Sequence, residues 1–85
     1  MSKKIETIYL DDFTNDGIII EKEFRKKIDS TDWNLYKNKK VLIKGCASAP
    51  IPTWAYLIIT ARLTSVANRI LYGELCSAYE IFKKN

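Results

Sequence analysis

The sequence predicts a small α/β sandwich of order β-α-β-α-β-α, with a three- to four-stranded, mostly parallel sheet, in one domain over residues 1–85. Three observations predict it. Short runs rich in strand formers alternate with longer segments of helical period, the pattern that builds a layered α/β fold. At the centre, Val41–Leu63 (VLIKGCASAPIPTWAYLIITARL) passes from an apolar strand through a proline-containing loop into an almost wholly apolar helix. Finally, the chain has 85 residues and is 47% hydrophobic, enough for one core and no more. A domain of this size buries only about 60–65% of its unfolded surface, so a partner surface would add stability.

Ile5–Leu10 is the first strand, carrying Ile5, Ile8, Tyr9 and Leu10. Asp11–Gly17 (DDFTNDG) has the Asp, Asn and Gly content of a turn, with Phe13 expected to tuck back onto the core. The β-branched run Ile18–Ile20 is a short strand or extended lead-in. Glu21–Asp29 is a helix: acids open it, cations follow, and Phe24, Lys27 and Ile28 recur at spacings of three and four. Ser30–Lys40 is a connector in which Thr31 or Asp32 can cap a single turn bearing Trp33, Leu35 and Tyr36. Both aromatics are expected to pack over the sheet edge.

Val41–Ile43 suits a central strand covered on both faces. Pro52 suits the first turn of a helix, where no amide donor is needed. That helix runs to about Ala67. Thr60, Thr64 and Asn68 form its one polar stripe, so it is expected to be buried on more than one side, as a central helix or against a second subunit. Arg69–Gly73 is the third strand. Glu74–Lys83 is expected to be a last helix with Leu75, Ala78, Tyr79 and Phe82 as its apolar stripe, and Lys83–Lys84 at its C-terminal end.

Composition excludes several chemistries. The chain has no histidine, which removes Ser-His and Cys-His catalysis and most zinc sites. Cys46 and Cys76 do not make a disulfide framework. The N-terminus MSKKIETIYL lacks a signal-like apolar core, and no run nears the ~20 apolar residues of a membrane span. A cytoplasmic location with reduced thiols is expected. The net charge of +4 is carried by small lysine clusters, read as solvated surface. Binding to nucleic acid would need several of those cations on one face, and is not expected.

The loop Gly45–Thr53 lies beyond the carboxyl end of a strand, at a helix start, where α/β proteins place ligands. Lys44, Gly45, Cys46, Ser48, Thr53 and Trp54 are the candidate ligand-binding residues. A structural role competes. Pro50 and Pro52 fix the chain path, one of them a candidate for a cis bond, while Trp54 and Tyr56 lock the helix to the sheet. Both prolines also remove amide donors that a phosphate cradle would use, and no P-loop ending is present. Cys46 near a helix start is a weak candidate nucleophile, with no nearby arginine for an oxyanion and no CxxC for dithiol exchange. Cys76 is expected in the core. Asp11–Asp12 is a turn rather than a metal site, and no cofactor is expected.

Asp32, Trp33, Tyr36, Val41 and Ile51–Tyr56 (IPTWAY), with Gly17–Arg25 (GIIIEKEFR), resemble a bacterial family found mainly in Bacteroidetes, catalogued as domain of unknown function 2480. The likeness covers about Leu10–Leu75, and the IPTWAY segment is its most specific part. This chain departs from the family in being shorter, between Phe13 and Gly17 and at its end. The resemblance implies the fold and the place of the site, and no activity. The sequence therefore predicts a non-catalytic interaction or structural module that self-associates through the 52–67 helix or a sheet edge. Small-molecule or anion binding, or cysteine chemistry, at the Gly45–Thr53 loop is the alternative.

Overall fold

A computed structural model describes residues 5–15, 17–45, 51–73 and 78–84. Strand β1 (Ile5–Tyr9) runs into a 3-10 turn (Leu10–Phe13) and helix α1 (Glu21–Ser30). A second 3-10 turn (Trp33–Tyr36) leads to β2 (Lys40–Lys44), then helix α2 (Thr53–Leu63), β3 (Arg69–Tyr72) and β4 (Tyr79–Lys83). The sheet order is β1-β2-β3-β4. The first three strands are parallel and β4 returns antiparallel along β3. The α/β class and the four-stranded, mostly parallel sheet agree with the sequence reading.

Both helices lie on one face. Ile8 is in register with Ile43, and Val41 with Ile70, so these side chains share a side of the sheet. There they join Phe24 and Ile28 of α1 and Ala55, Ile59 and Leu63 of α2 in a single buried cluster. The i, i+4 spacing of Phe24 and Ile28 is what lets α1 lay one stripe on the strands. Burying each of the Val, Leu, Ile and Phe side chains of this cluster contributes about 1.5–3 kcal/mol. Phe24 is the hub, with Phe13 at 5.3 Å and Trp54 edge-on at 5.4 Å. The opposite face carries Thr7, Leu42 and Leu71 in one cross-strand row, outside that cluster.

Several local expectations hold. Phe13 packs on the core. The Asp32 carboxylate caps the second 3-10 turn by accepting from the Asn34 amide at 3.2 Å. Trp33 packs half-buried and its Nε1–H donates to the Ile28 carbonyl at 3.0 Å, tying the turn to the end of α1. Ile20 is extended ahead of α1. Among the described residues no peptide bond is cis.

Three expectations are corrected. Tyr79–Lys83 is a strand, not the end of a last helix; residues 74–77, including Cys76, lie outside the described residues. Its register explains the misreading. Ile70 opposes Phe82 and Leu71 opposes Glu80, so Ile81 is the extra residue of a bulge. The bulge places Ile81 and Phe82 consecutively on the helix side, which breaks the alternation that marks a strand. Second, α2 ends at Leu63 and a turn over 64–66 follows, with Ala67 still packed inside. Third, α2 buries only the stripe Ala55, Ile59 and Leu63, whereas Leu57 is 64% exposed. It is not buried on more than one side within the chain.

Candidate functional site

Among the described residues, α1 and α2 leave the β4 side of the helix face uncovered. A groove of about 470 Å³ opens there, lined by Ile43, Thr53, Tyr56, Leu57, Thr60, Tyr72 and Ile81. It lies at the carboxyl ends of the parallel strands β2 and β3 and beside the start of α2, the position where open α/β sheets place ligands. Its walls come from three local choices. The α2 stripe one turn round from the core presents Tyr56, Leu57 and Thr60. The last residue of β3, Tyr72, meets Tyr56 edge-on at 5.0 Å and 87°. The bulge turns Ile81, 42% exposed, towards the helix.

The groove is poor in reactive groups. Thr60 already donates its hydroxyl to the Tyr56 carbonyl at 2.8 Å. Among the described lining residues, only the threonine and tyrosine hydroxyls are polar side-chain groups, and none carries a carboxylate or amine. Such a surface can pack an apolar partner, and it offers no acid/base pair for proton transfer. Among the described residues no group of three potential metal ligands comes together.

The described residues among the sequence-predicted site residues fall in different places. Thr53 lines the groove. Gly45 sits against Tyr56, where a Cβ would overlap the tyrosine hydroxyl. Trp54 points the other way, onto Phe24 of α1, and is half-buried in the core. Lys44 lies on the far face of the sheet, in register with Tyr9 and 5.8 Å from its ring centre. Cys46 and Ser48 lie outside the described residues, as does Pro50. Leu57, Tyr72 and Ile81 were missed as site residues. Leu57 was legible only as surplus apolar girth on α2, and Ile81 was hidden inside the expected last helix.

A second cleft, about 310 Å³, lies at the β1 edge between Tyr9, Asp12, Lys27, Trp33 and Tyr36. Its cation is committed: Lys27 donates to the Asp12 carbonyl at 2.7 Å and sits 6.0 Å from the Phe13 ring centre. Burial, and after it the Glu6 carboxylate, pushes the Tyr36 phenol above its ordinary value. Glu6 in turn pairs with Lys39 at 3.7 Å.

Fold and groove together define a small two-layer α/β module with an apolar groove at the β4 side of its helix face. The family model described as protein of unknown function (DUF2480) matches residues 34–84, and the chain belongs to that family. The match starts after Asp32 and Trp33 and runs through β4, further towards the C-terminus than the likeness read from the sequence. No curated protein and no solved structure matches the chain. No helix among the described residues is long and apolar enough to cross a membrane.

Proposed function

We propose that the protein is a non-catalytic interaction module that self-associates as a homodimer through the groove and the adjoining β4 edge. The observation that carries this is the uncovered apolar strip of Leu57, Tyr72 and Ile81 beside a sheet edge. An open edge strand offers a row of unpaired backbone groups to another strand. Antiparallel pairing of two β4 strands about a two-fold axis is self-complementary. It would continue the sheet into the partner and cover Ile81 and the neighbouring Tyr79, itself 70% exposed. Burying Leu57 and Ile81 would each contribute about 1.5–3 kcal/mol. The cysteine usage of the chain fits a reducing, cytoplasmic setting. Light scattering at micromolar concentration tests the reading. A dimer is expected for the native chain and a folded monomer for Leu57→Glu and Ile81→Glu. A native chain that is a strict monomer overturns it.

A second reading is favoured by position. The groove lies beside Gly45 and Thr53, where strand passes to helix, so a small apolar molecule or anion could seat there, with Cys46 and Ser48 as the remaining sequence-derived candidates, since Lys44 and Trp54 face away from it. A ligand panel raising the melting temperature would support it. Silence across the panel, together with Cys46 reacting no faster than a free thiol, would leave the docking reading alone.

A further inference from the structure

The cleft at the β1 edge holds opposite charges that the fold leaves unpaired. Its volume, about 310 Å³, is that of a small-molecule site. Strand β1, at one edge of the sheet, forms one wall. Phe13 and the pair Trp33 and Tyr36, with ring centres 5.9 Å apart, form the aromatic side. Two of these rings are fixed from behind. Phe13 leans on Phe24 at 5.3 Å, and the Trp33 Nε1–H donates to the Ile28 carbonyl at 3.0 Å. Walls set in this way spare a ligand the cost of ordering them.

Lys27 and Asp12 make the polar end. The 2.7 Å bond from Lys27 to the Asp12 carbonyl commits one of the three N–H groups of the ammonium. It also anchors that ammonium beside a residue that lines the cleft in its own right. Among the described residues, neither Lys27 nor the Asp12 carboxylate has an ion pair. The Tyr36 hydroxyl makes no hydrogen bond to a described residue either. Burial, and after it Glu6, holds the proton on that hydroxyl, which keeps it a donor. A bare anion drawn to Lys27 would be repelled by Asp12, and a bare cation would meet the reverse. A zwitterion satisfies both charges, and the rings favour an aromatic body. We propose that this cleft binds a free aromatic α-amino acid. Its carboxylate sits on Lys27 and Tyr36, its ammonium on Asp12, and its ring against Phe13 and Trp33. The cleft is separate from the β4 groove, and the site does not depend on dimerisation.

Titration of the labelled full chain with L-phenylalanine, followed by amide chemical shifts, tests this. Saturable shifts are expected in β1 and the two 3-10 turns, with a Kd on the order of 1 mM. Phenylpropionate, which lacks the ammonium, and phenethylamine, which lacks the carboxylate, should each bind the native chain roughly tenfold more weakly. L-Alanine, which has no ring, should give no saturable shift. Lys27→Gln and Asp12→Asn should each weaken L-phenylalanine roughly tenfold. Tyr36→Phe, which keeps the ring, should weaken it about fivefold. Lys22→Gln, exposed on the same helix, should leave binding unaltered. Thermal melts confirm that each variant is folded, and the ligand series on the native chain needs no variant. The proposal is overturned by the absence of saturable shifts with L-phenylalanine, or by shifts centred on Leu57 and Ile81 instead. It is equally overturned if phenylpropionate or phenethylamine binds as tightly, or if folded Lys27→Gln and Asp12→Asn variants bind as the native chain does.

Discussion

Gly45 leaves the space that the hydroxyl of Tyr56 occupies. A Cβ at residue 45 would overlap that oxygen, while the Tyr56 ring is held edge-on against Tyr72 at 5.0 Å. The end of β2, the start of α2 and the end of β3 therefore meet at one phenol. A close approach of this kind is what a glycine permits and a methyl group forbids.

Gly45→Ala should destabilise the fold by about 1–3 kcal/mol, because the added methyl must push the ring from its place. For a domain of this size, 1 kcal/mol lowers Tm by about 4–8 °C. Tyr56→Phe removes the overlapping atom, so the double variant should be less destabilised than the two single effects combined. Thermal melts followed by circular dichroism measure all three. An alanine variant that melts with the native chain would refute the contact.

Much of this junction is visible in the sequence, and the reasons for what is hidden are physical. Val41–Ile43 is a continuous apolar run because helices cover one face of β2 and Leu42, on the other face, is buried as well. Acids ahead of bases in Glu21–Lys27, with Phe24 and Ile28 four apart, identify α1. Asp32 announces its cap through a side chain that bonds two residues on. The fourth strand was not legible because its bulge makes Ile81 and Phe82 neighbours on one face, and Ala78, Tyr79 and Phe82 also fit a helical stripe. That error conceals the groove, whose wall includes Ile81 of β4. The cationic row was hidden for another reason. Lys40, Arg69 and Lys83 are far apart in sequence, and only strand register brings them level.

Phe24 should be the most sensitive core position. It is fully buried and its ring meets both Phe13, just after β1, and Trp54, on α2. Phe24→Ala should cost about 3–5 kcal/mol from lost transfer energy and the cavity left behind. Against the small net stability of a short domain, that is enough to unfold much of the population at 25 °C. Denaturant titration should show the native baseline shortened or lost. Trp54→Phe keeps an aromatic on Phe24 and should cost clearly less.

Tyr36 gives the fold an alkaline limit. Burial, then the Glu6 carboxylate, raises its phenol above 10.0, the value taken for an unperturbed tyrosine. The folded chain therefore holds that proton more tightly than the unfolded one. The resulting stability is fully present below pH 10.0 and is lost as pH rises through the raised folded value. The difference between two proteins is the useful quantity. Tyr36→Phe keeps the ring and cannot ionise. Its Tm should fall less steeply above pH 10.0 than that of the native chain, and parallel curves would contradict the assignment.

Lys83→Glu should stabilise the sheet. The substitution places a carboxylate opposite Arg69 and ends the three-cation row across β2, β3 and β4. Replacing a like-charge cross-strand pair by an opposite one contributes about 0.2–1 kcal/mol. Glu80 already engages Arg69, so the gain belongs in the lower part of that range. The effect is electrostatic and should fade at 1 M salt, where the screening length is about 3 Å. Melts at low and high salt separate it from any change in packing. If Lys83→Glu lowers Tm at low salt, the row is not strained.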